Sequence, residues 1–126
     1  MGRIQHSVRL CGEKVCKEEK GLFDTGSDYT YLSPKLARQL DAKFTGFEFE
    51  TEVADKRTMS TREAELEEIE ILGCKRIKPR VMVADIGTDL IVGNDIMQLL
   101  GIRLDPKNHK IRVDKCRSSV ILYLSD

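Results

Sequence analysis

The residues with the clearest chemical potential are Asp24 to Gly26, an Asp-Thr-Gly tripeptide that follows the apolar pair Leu22-Phe23. An apolar strand that ends in Asp-Thr-Gly places a carboxylate on a tight turn, where glycine allows close backbone approach. A second motif, Leu90 to Gly93, lies much later in the chain. We expect this apolar strand to pass beneath the Asp24 turn, because Gly93 permits near backbone contact. The two motifs together predict a site built around a carboxylate.

These paired motifs resemble the active-site framework of aspartic proteases. Because the sequence holds a single Asp-Thr-Gly, it is similar to the retroviral-type (retropepsin-like) branch, in which two identical chains each supply one Asp. The resemblance runs from Val8 to Val113 and is closer to cellular and archaeal-type members than to a viral enzyme. It implies an all-β fold with short helices, a retropepsin-like closed barrel with one lobe per chain. Residues 1–126 would form a single domain.

The reaction implied by the resemblance is peptide hydrolysis by a water activated between two Asp24 carboxylates, one per subunit. One ionised carboxyl takes a proton from water while a protonated one polarises the scissile carbonyl, and two carboxyls about 3 Å apart share a proton, as is established for aspartic proteases as a class. The other Asp-x-Gly of the chain, Asp85 to Gly87, lacks the hydroxyl residue. A second Asp24 related by a two-fold axis fits better, so a homodimer is expected.

The resemblance also implies roles for neighbouring residues. Thr25, counted with Asp24 and Gly26 as catalytic, would hydrogen-bond across the dimer axis, and Gly26 would admit the substrate backbone. Asp28 would contact substrate backbone, and Ile91 would line a side-chain pocket. The other expected substrate-binding residues are Ser27 in the turn and Ala54, Asp55, Lys56 and Arg57 at the flap tip.

Ser27 has a more specific expectation attached to it. Its hydroxyl, two residues beyond Thr25, is expected to donate a hydrogen bond to the outer oxygen of Asp24. Donation to a charged carboxylate favours the charged form, so activity is expected to be best in acid. The alternative is that Ser27 only fills the turn.

Two features depart from the retroviral pattern. Asn94 follows Gly93, where the retroviral enzymes carry an arginine that pairs with the acid matching Asp28, so weaker dimer contacts are expected. The flap tip is charged instead of glycine-rich. These departures keep open a second hypothesis, a retropepsin-like peptide-binding or dimerisation module with little or no catalysis. The intact residues 24–26 favour the enzyme.

The flap region is the ambiguous part of the chain. Phe47, Phe49 and Thr51 alternate with glutamates, which predicts a strand with one apolar face. Thr58 to Leu72 contains a capping box and many helix formers, and propensity alone favours a helix there. The resemblance instead places a flap hairpin at about 47–66, so we expect strands with a bulge near Glu67-Glu68.

Other elements follow from simpler signals. Ser33 is expected to cap a short helix that begins at Pro34, and Asn94 to cap a helix from Asp95 to Leu100. Strands are predicted at 7–11, 15–23, 78–84, 90–92, 102–104 and 111–113. The apolar segment at about 119–125 has no obvious partner in the chain. It is expected either to interleave with the same segment of a second copy or to be an ordinary edge strand.

Composition excludes several classes of protein. Lys+Arg and Asp+Glu each number 21, and zero net charge argues against nucleic acid as a partner. The polar start has no secretory apolar region, and no apolar run approaches the ~20 residues that span a bilayer, so a cytoplasmic location without membrane association is expected. The expected partners are a second copy and a polypeptide substrate.

The spacing of the cysteines does not suggest a metal site. Cys11, Cys16, Cys74 and Cys116 form no Cys-x-x-Cys pair, so neither a metal nor another cofactor is expected. A disulfide between Cys11 and Cys16 across a hairpin is one possibility, and free thiols are favoured over it.

Overall fold

The computed structural model describes residues 3–52, 57–114 and 116, and most of them lie in β-strands. Within these residues, the α-helices are α1 (Pro34–Gln39) and α2 (Asn94–Leu100), and a 3-10 turn lies at Pro106–Asn108. The strands are β1 (Arg3–Cys11), β2 (Cys16–Asp24), β3 (Tyr31–Leu32), β4 (Lys43–Glu52), β5 (Thr58–Glu65), β6 (Glu68–Ile71), β7 (Cys74–Ile77), β8 (Arg80–Val83), β9 (Leu90–Val92), β10 (Ile102–Asp105) and β11 (Lys110–Val113). The predicted class, all-β with short helices, is confirmed.

Within the described residues, β1 to β9 form one curled sheet in the order β4-β5-β8-β3-β9-β2-β1-β6-β7. Strands β10 and β11 pair as a separate hairpin. The parallel pairs β2–β9 and β3–β8 lie at the centre of the sheet, so chain segments distant in sequence meet there. This crossing brings the two sequence motifs together.

The first hairpin delivers Asp24 to the centre of the sheet. Strand β1 pairs with β2 along its whole length, from Arg3 opposite Asp24 to Cys11 opposite Cys16. Val8 and Leu10 are buried and alternate with exposed residues, as the sequence period predicts. The predicted strands at 7–11 and 15–23 are therefore confirmed.

The preference for free thiols is wrong. Cys11 and Cys16 face each other in the register and form a disulfide, with their Cα atoms 4.0 Å apart. Cys74 and Cys116 form a second disulfide. Local sequence spacing does not indicate the second pair, because its cysteines are 42 residues apart and meet only in the folded chain.

Residues 58–72 form strands and not a helix, but the predicted bulge at Glu67-Glu68 is wrong. Instead, β5 ends at Glu65 and β6 begins at Glu68, and each strand pairs in a different part of the sheet. The buried Leu66 fills the step between them, with its N–H donating to the Pro79 carbonyl. The two phases of apolar alternation belong to two strands.

Strands β4 and β5 form the hairpin predicted at about 47–66, with its tip at 53–56 outside the described residues. The register shifts between Phe44 and Glu48, where Gly46 has a positive φ of 96°. Phe49 is half-buried, but Phe47 is 56% exposed. The Phe47 and Phe49 rings contact each other, with their centroids 5.4 Å apart, so the predicted apolar face is present but Phe47 remains largely exposed on it.

The helix ends agree with prediction in one case and differ in the other. Ser33 caps α1, and its hydroxyl oxygen accepts the Leu36 N–H at 3.1 Å. Helix α2 includes Asn94 as its first residue, and Gly93 takes the cap position without a side-chain hydrogen bond. The predicted cap at Asn94 is therefore wrong. The predicted strand at 78–84 starts only at Arg80, after a left-handed Lys78 with a φ of 57°.

The core lies between the central strands and the two helices. Its fully buried large side chains are Val8, Leu10, Phe23, Leu32, Leu36, Leu40, Leu66, Ile69, Ile71, Leu90, Ile96 and Leu100. Among the described residues, no helix has the length and apolar character needed to span a bilayer. The segment predicted as a dimer strand, about 119–125, lies outside the described residues.

Candidate active site

The Asp24 carboxylate is held on a tight turn at the end of β2. The Ser27 N–H donates to the Asp24 carbonyl at 3.1 Å and closes the turn. The Gly26 N–H donates to Asp24 Oδ1 at 2.8 Å, which fixes the orientation of the carboxyl group. Asp24 Oδ2 lies 3.3 Å from Nε of Arg3, the residue opposite in β1, and the Asp24 side chain is 16% exposed. The carboxylate is thus oriented by backbone and still open to solvent.

Gly93 lies directly beneath this turn, as the spacing of the two motifs predicts. Strand β9 runs parallel to β2 and antiparallel to β3, so the chain leaves β9 under the loop between them. A Cβ atom on Gly93 would lie 2.3 Å from the Tyr29 carbonyl oxygen and 2.8 Å from that of Ser27. Only glycine allows this approach without moving the loop.

A buried polar network joins the turn to α2. The Thr30 hydroxyl donates to Asp95 Oδ1 at 2.8 Å and accepts the Gly93 N–H at 3.0 Å. Thr30 is fully buried, and its N–H lies 3.3 Å from Asp95 Oδ2. Because each of these polar atoms has a partner, the network fixes the loop without an unsatisfied group. Sequence reasoning missed it, since nothing in the local pattern links Thr30 to Asp95.

Asn94 also contacts the turn. Its side-chain amide donates to the Thr25 carbonyl at 2.8 Å, and its backbone N–H donates to the Ser27 carbonyl at 2.9 Å. Asp28 is exposed, and its carbonyl accepts the Asp95 N–H at 3.3 Å. Asn94, which replaces the arginine of the retroviral pattern, therefore stabilises the turn of its own chain.

Ser27 does not make the hydrogen bond that the sequence predicts. Its hydroxyl donates to the Tyr29 carbonyl at 2.7 Å, so its single proton is not directed at Asp24. The Gly26 N–H makes the contact to the carboxylate instead. The prediction that the Ser27 hydroxyl adapts the site to acid is therefore wrong in its geometry.

A groove of about 1080 Å³ runs past Asp24. The predicted residues that line it, besides Asp24, are Gly26, Ser27, Arg57 and Ile91. Thr25 and Asp28 do not line it, and Thr25 faces a smaller depression that it shares with Asn94 and Arg103. Ala54, Asp55 and Lys56 lie outside the described residues. Lining residues that sequence reasoning missed include Tyr31, Pro34, Arg38, Phe44, Met59, Arg62, Val83, Asp85 and Ile86.

The groove wall combines apolar surface with charged groups. The Arg62 guanidinium carbon lies 3.6 Å from the centroid of the Phe44 ring, a cation–π contact. Burial raises the pKa of the Tyr31 hydroxyl above its ordinary value, and nearby Tyr29 and Asp28 add to the effect. Tyr31 is therefore neutral near neutral pH and able to donate a hydrogen bond. In residues 3–52, 57–114 and 116, no group of three His, Cys, Asp or Glu side chains is placed to hold a metal ion.

Comparison with known proteins gives a family and a fold. The sequence model of the aspartyl protease family matches residues 7–114. EIAV protease, solved in complex with the inhibitor HBY-793, is 27% identical, with a TM-score of 0.60 over 82% of this chain and 92% of that chain. A retropepsin-like aspartic protease from Rickettsia conorii is 18% identical, with a TM-score of 0.56 over 82% of this chain and 77% of that chain.

A third structure has the same fold. The retroviral protease-like domain of Ddi1 from Leishmania major is 16% identical, with a TM-score of 0.60 over 91% of this chain and 90% of that chain. No curated protein matches the sequence. The likenesses show a half-barrel of the retropepsin-like type, with one lobe per chain.

Proposed function

Because this chain belongs to the aspartyl protease family, we propose that it is an aspartic endopeptidase whose active site is completed by a second copy of the same chain. The observation that carries the proposal is the Asp24 carboxylate, oriented by the Gly26 N–H at the floor of a large groove. One lobe supplies one such carboxylate, and the reaction needs two. A homodimer provides both.

The proposed mechanism divides the work between the two Asp24 side chains. The ionised carboxylate takes a proton from water as the water oxygen attacks the carbonyl carbon of the scissile bond. The protonated carboxyl gives its proton to the carbonyl oxygen, which yields a neutral tetrahedral intermediate. The carboxyl that took the proton from water then gives it to the nitrogen, the other carboxylate takes a proton from a hydroxyl of the intermediate, and the C–N bond breaks to give a carboxylic acid and an amine. The Gly26 N–H keeps Asp24 aligned throughout, since its bond to Oδ1 leaves Oδ2 for the chemistry.

Exposed groups beside the turn support the dimer. Thr25 is exposed in the single chain, as a residue that bonds across a two-fold axis would be. We further propose that the β4–β5 hairpin is the flap that covers the substrate, with residues 54–57 at its tip. The segment at 119–125 is proposed to pair with its counterpart in the second copy.

One observation favours the non-catalytic alternative, a peptide-binding or dimerisation module. The Arg3 guanidinium lies 3.3 Å from Asp24 Oδ2, the oxygen that the reaction uses. A cation held there would block the approach of this oxygen to water. Arg3 is largely exposed, with 63% of its side chain accessible, so it can leave when substrate or a second chain arrives.

The compartment remains a prediction. Disulfides are rare in the cytosol of mesophiles and common in oxidising compartments and in hyperthermophiles. The two disulfides therefore favour either an oxidising compartment or the cytoplasm of a hyperthermophile.

The proposal is tested by incubating the protein with an unfolded polypeptide between about pH 3 and pH 7, with and without a pepstatin-type inhibitor. We expect cleavage that the inhibitor blocks and that Asp24→Asn abolishes, since an amide keeps the shape of the carboxyl but cannot act as a base. Equal cleavage by wild type and Asp24→Asn would contradict the proposal. A folded, dimeric wild type that cleaves nothing would favour the binding module.

A further inference from the structure

Three arginines line the same groove as Asp24: Arg57, next to the tip of the β4–β5 hairpin, and Arg38 and Arg62 from two other positions in the fold. Arg38 lies in the last turn of α1, and Arg62 lies in β5. Both side chains are exposed, so each is accessible to a substrate in the groove. The guanidinium groups of Arg38 and Arg62 therefore lie in the same groove as the Asp24 carboxylate.

Neither Arg38 nor Arg62 forms a salt bridge with any residue of the described ranges. Arg9, Arg80 and Arg103 each pair with at least one carboxylate. Arg76 and Arg112, outside the groove, also form no salt bridge with a described residue. Glu63, adjacent to Arg62 in β5, is occupied by Arg80 at 3.2 Å. Arg38 and Arg62 therefore keep their hydrogen-bonding capacity for a ligand.

Arg62 is also held in place. Its guanidinium carbon lies 3.6 Å from the centroid of the Phe44 ring, and a guanidinium that stacks on a ring keeps its N–H edge for other partners. Phe44 lines the groove as well and is 42% exposed. An arginine held in this way loses less conformational freedom on binding than a mobile lysine would.

The acidic residues in the described lining are Asp24 and Asp85. Asp24 belongs to the catalytic pair, which shares a proton. Asp85 also borders a neighbouring depression with Ser33 and Lys35, so it lies toward the start of α1. The lining around Arg62 and Phe44 therefore contains no carboxylate, although Glu48 lies opposite Arg62 in the β4–β5 register without forming a salt bridge to it.

We propose that Arg38 and Arg62 select polypeptides that carry a carboxylate near the scissile bond, supplied by an Asp or Glu side chain. The inference rests on the proposed function, because it takes the groove as the substrate site. A planar guanidinium fork matches a carboxylate in two parallel hydrogen bonds, which an amide or an alkyl side chain cannot accept equally. A peptide C-terminus is also a carboxylate, and the experiment distinguishes binding of the C-terminus from binding of an Asp or Glu side chain.

The test compares matched fluorogenic peptides that differ only by Glu or Gln at one position near the cleavage site. Both ends are blocked, and the pH is kept above about 5 so that the substrate glutamate is ionised. At one or more positions we expect kcat/KM to be about tenfold higher for the Glu peptide at low salt, a difference of about 1.4 kcal/mol, and lower selectivity at high salt. A third peptide with Gln and a free C-terminus tests the other source of a carboxylate.

Variants assign the effect to the two arginines. The Glu-to-Gln ratio is expected to fall toward one in Arg38→Gln/Arg62→Gln, and to be intermediate in Arg62→Lys, which keeps the charge but loses the fork. Arg9→Gln is the matched control, since Arg9 is an ion-paired arginine outside the groove, and it should keep the wild-type ratio. Circular dichroism verifies that each variant is folded.

The outcomes separate this inference from the proposed function. Equal cleavage of Glu and Gln peptides at every position, a ratio that survives the double substitution, or a preference seen only with a free C-terminus would overturn the inference while leaving the protease intact. If wild type cleaves no peptide, fluorescence anisotropy with Asp24→Asn still decides the inference. Binding that is tighter for the Glu peptide supports it, and equal binding refutes it.

Discussion

Replacing Gly93 with alanine gives a sharp test of how the active-site turn is supported. The new Cβ atom would lie 2.3 Å and 2.6 Å from the Tyr29 carbonyl oxygen and carbon, and 2.8 Å from the Ser27 oxygen. Ordinary contacts begin near 3.4 Å, so the nearest atom must move by about 1 Å (3.4 minus 2.3). All three neighbours are backbone atoms, and no side-chain rotation relieves the clash.

The expected loss of stability follows from two contributions. Overpacking of this kind costs about 1–3 kcal/mol. Moving the loop also weakens the hydrogen bonds from the Asn94 N–H to Ser27 and from the Gly93 N–H to Thr30, each with a net contribution of about 1 kcal/mol. Gly93→Ala should therefore destabilise the fold by about 3–5 kcal/mol, a large part of the total for a domain of this size.

Urea unfolding measures the stability loss, and peptide cleavage per folded molecule measures the effect on the site. A displacement of about 1 Å at a reacting group is expected to lower kcat/KM by about 100-fold. Gly73→Ala is the control, because Gly73 has a positive φ of 80° but a Cβ atom added there would meet no other atom within 4 Å, so it should cost about 1 kcal/mol and leave the activity unchanged. A Gly93→Ala variant that loses no more stability than Gly73→Ala and keeps its kcat/KM would refute the reasoning.

Three further predictions concern groups away from the turn. The Thr61 hydroxyl is buried without a hydrogen-bond partner among the described residues. Thr61→Val should therefore raise the free energy of unfolding by about 1 kcal/mol, measured as a higher urea midpoint at an unchanged m-value. A lower midpoint would show that the hydroxyl has a partner. The Asn108 side chain lowers the pKa of Asp105, so Asn108→Ala should raise that pKa toward its ordinary value in an NMR titration, and an unmoved titration would contradict the contact. The pKa of Asp105 is lower in the folded than in the unfolded chain. The stability that the contact with Asn108 contributes is therefore full above the unfolded pKa and is lost as the pH falls through the folded pKa. Finally, thiol titration of the unfolded, unreduced protein should find no free cysteine, and two reactive thiols would show that one pair is open. Reduction of Cys74–Cys116 should lower the free energy of unfolding more than reduction of Cys11–Cys16, because the Cys74–Cys116 disulfide closes a longer loop.

The sequence predicts those parts of the molecule that local patterns determine. Alternation at Val8 and Leu10 marks the first strand, and Ser33 with Pro34 marks the start of α1. The Asp-Thr-Gly turn and Gly93 are recognisable because their chemistry needs those residue types. In each case the information lies within a few residues of the feature.

The parts that the sequence did not predict depend on contacts between distant segments. The break at Leu66 arises because β5 and β6 pair with different strands. The Ser27 hydroxyl was predicted to bind Asp24 and instead donates to the Tyr29 carbonyl. Asn94 was predicted to cap α2, and its side-chain amide instead donates to the Thr25 carbonyl. Likewise, Arg38 and Arg62 face one groove only after α1 and β5 have packed.

The central claim, that two chains share one active site, is tested most directly by mixing. Wild type is combined with an equal amount of Asp24→Asn under conditions where sedimentation shows dimers, and subunits are allowed to exchange before cleavage is measured. Random pairing leaves about one quarter of the dimers with two Asp24 carboxylates, so the activity should fall to about half of that of the same wild type alone and further with excess variant. Addition of Gly73→Ala instead should cause no such loss. Wild-type activity that is unchanged by any excess of Asp24→Asn, with exchange demonstrated, would show that each chain works alone and would contradict the account.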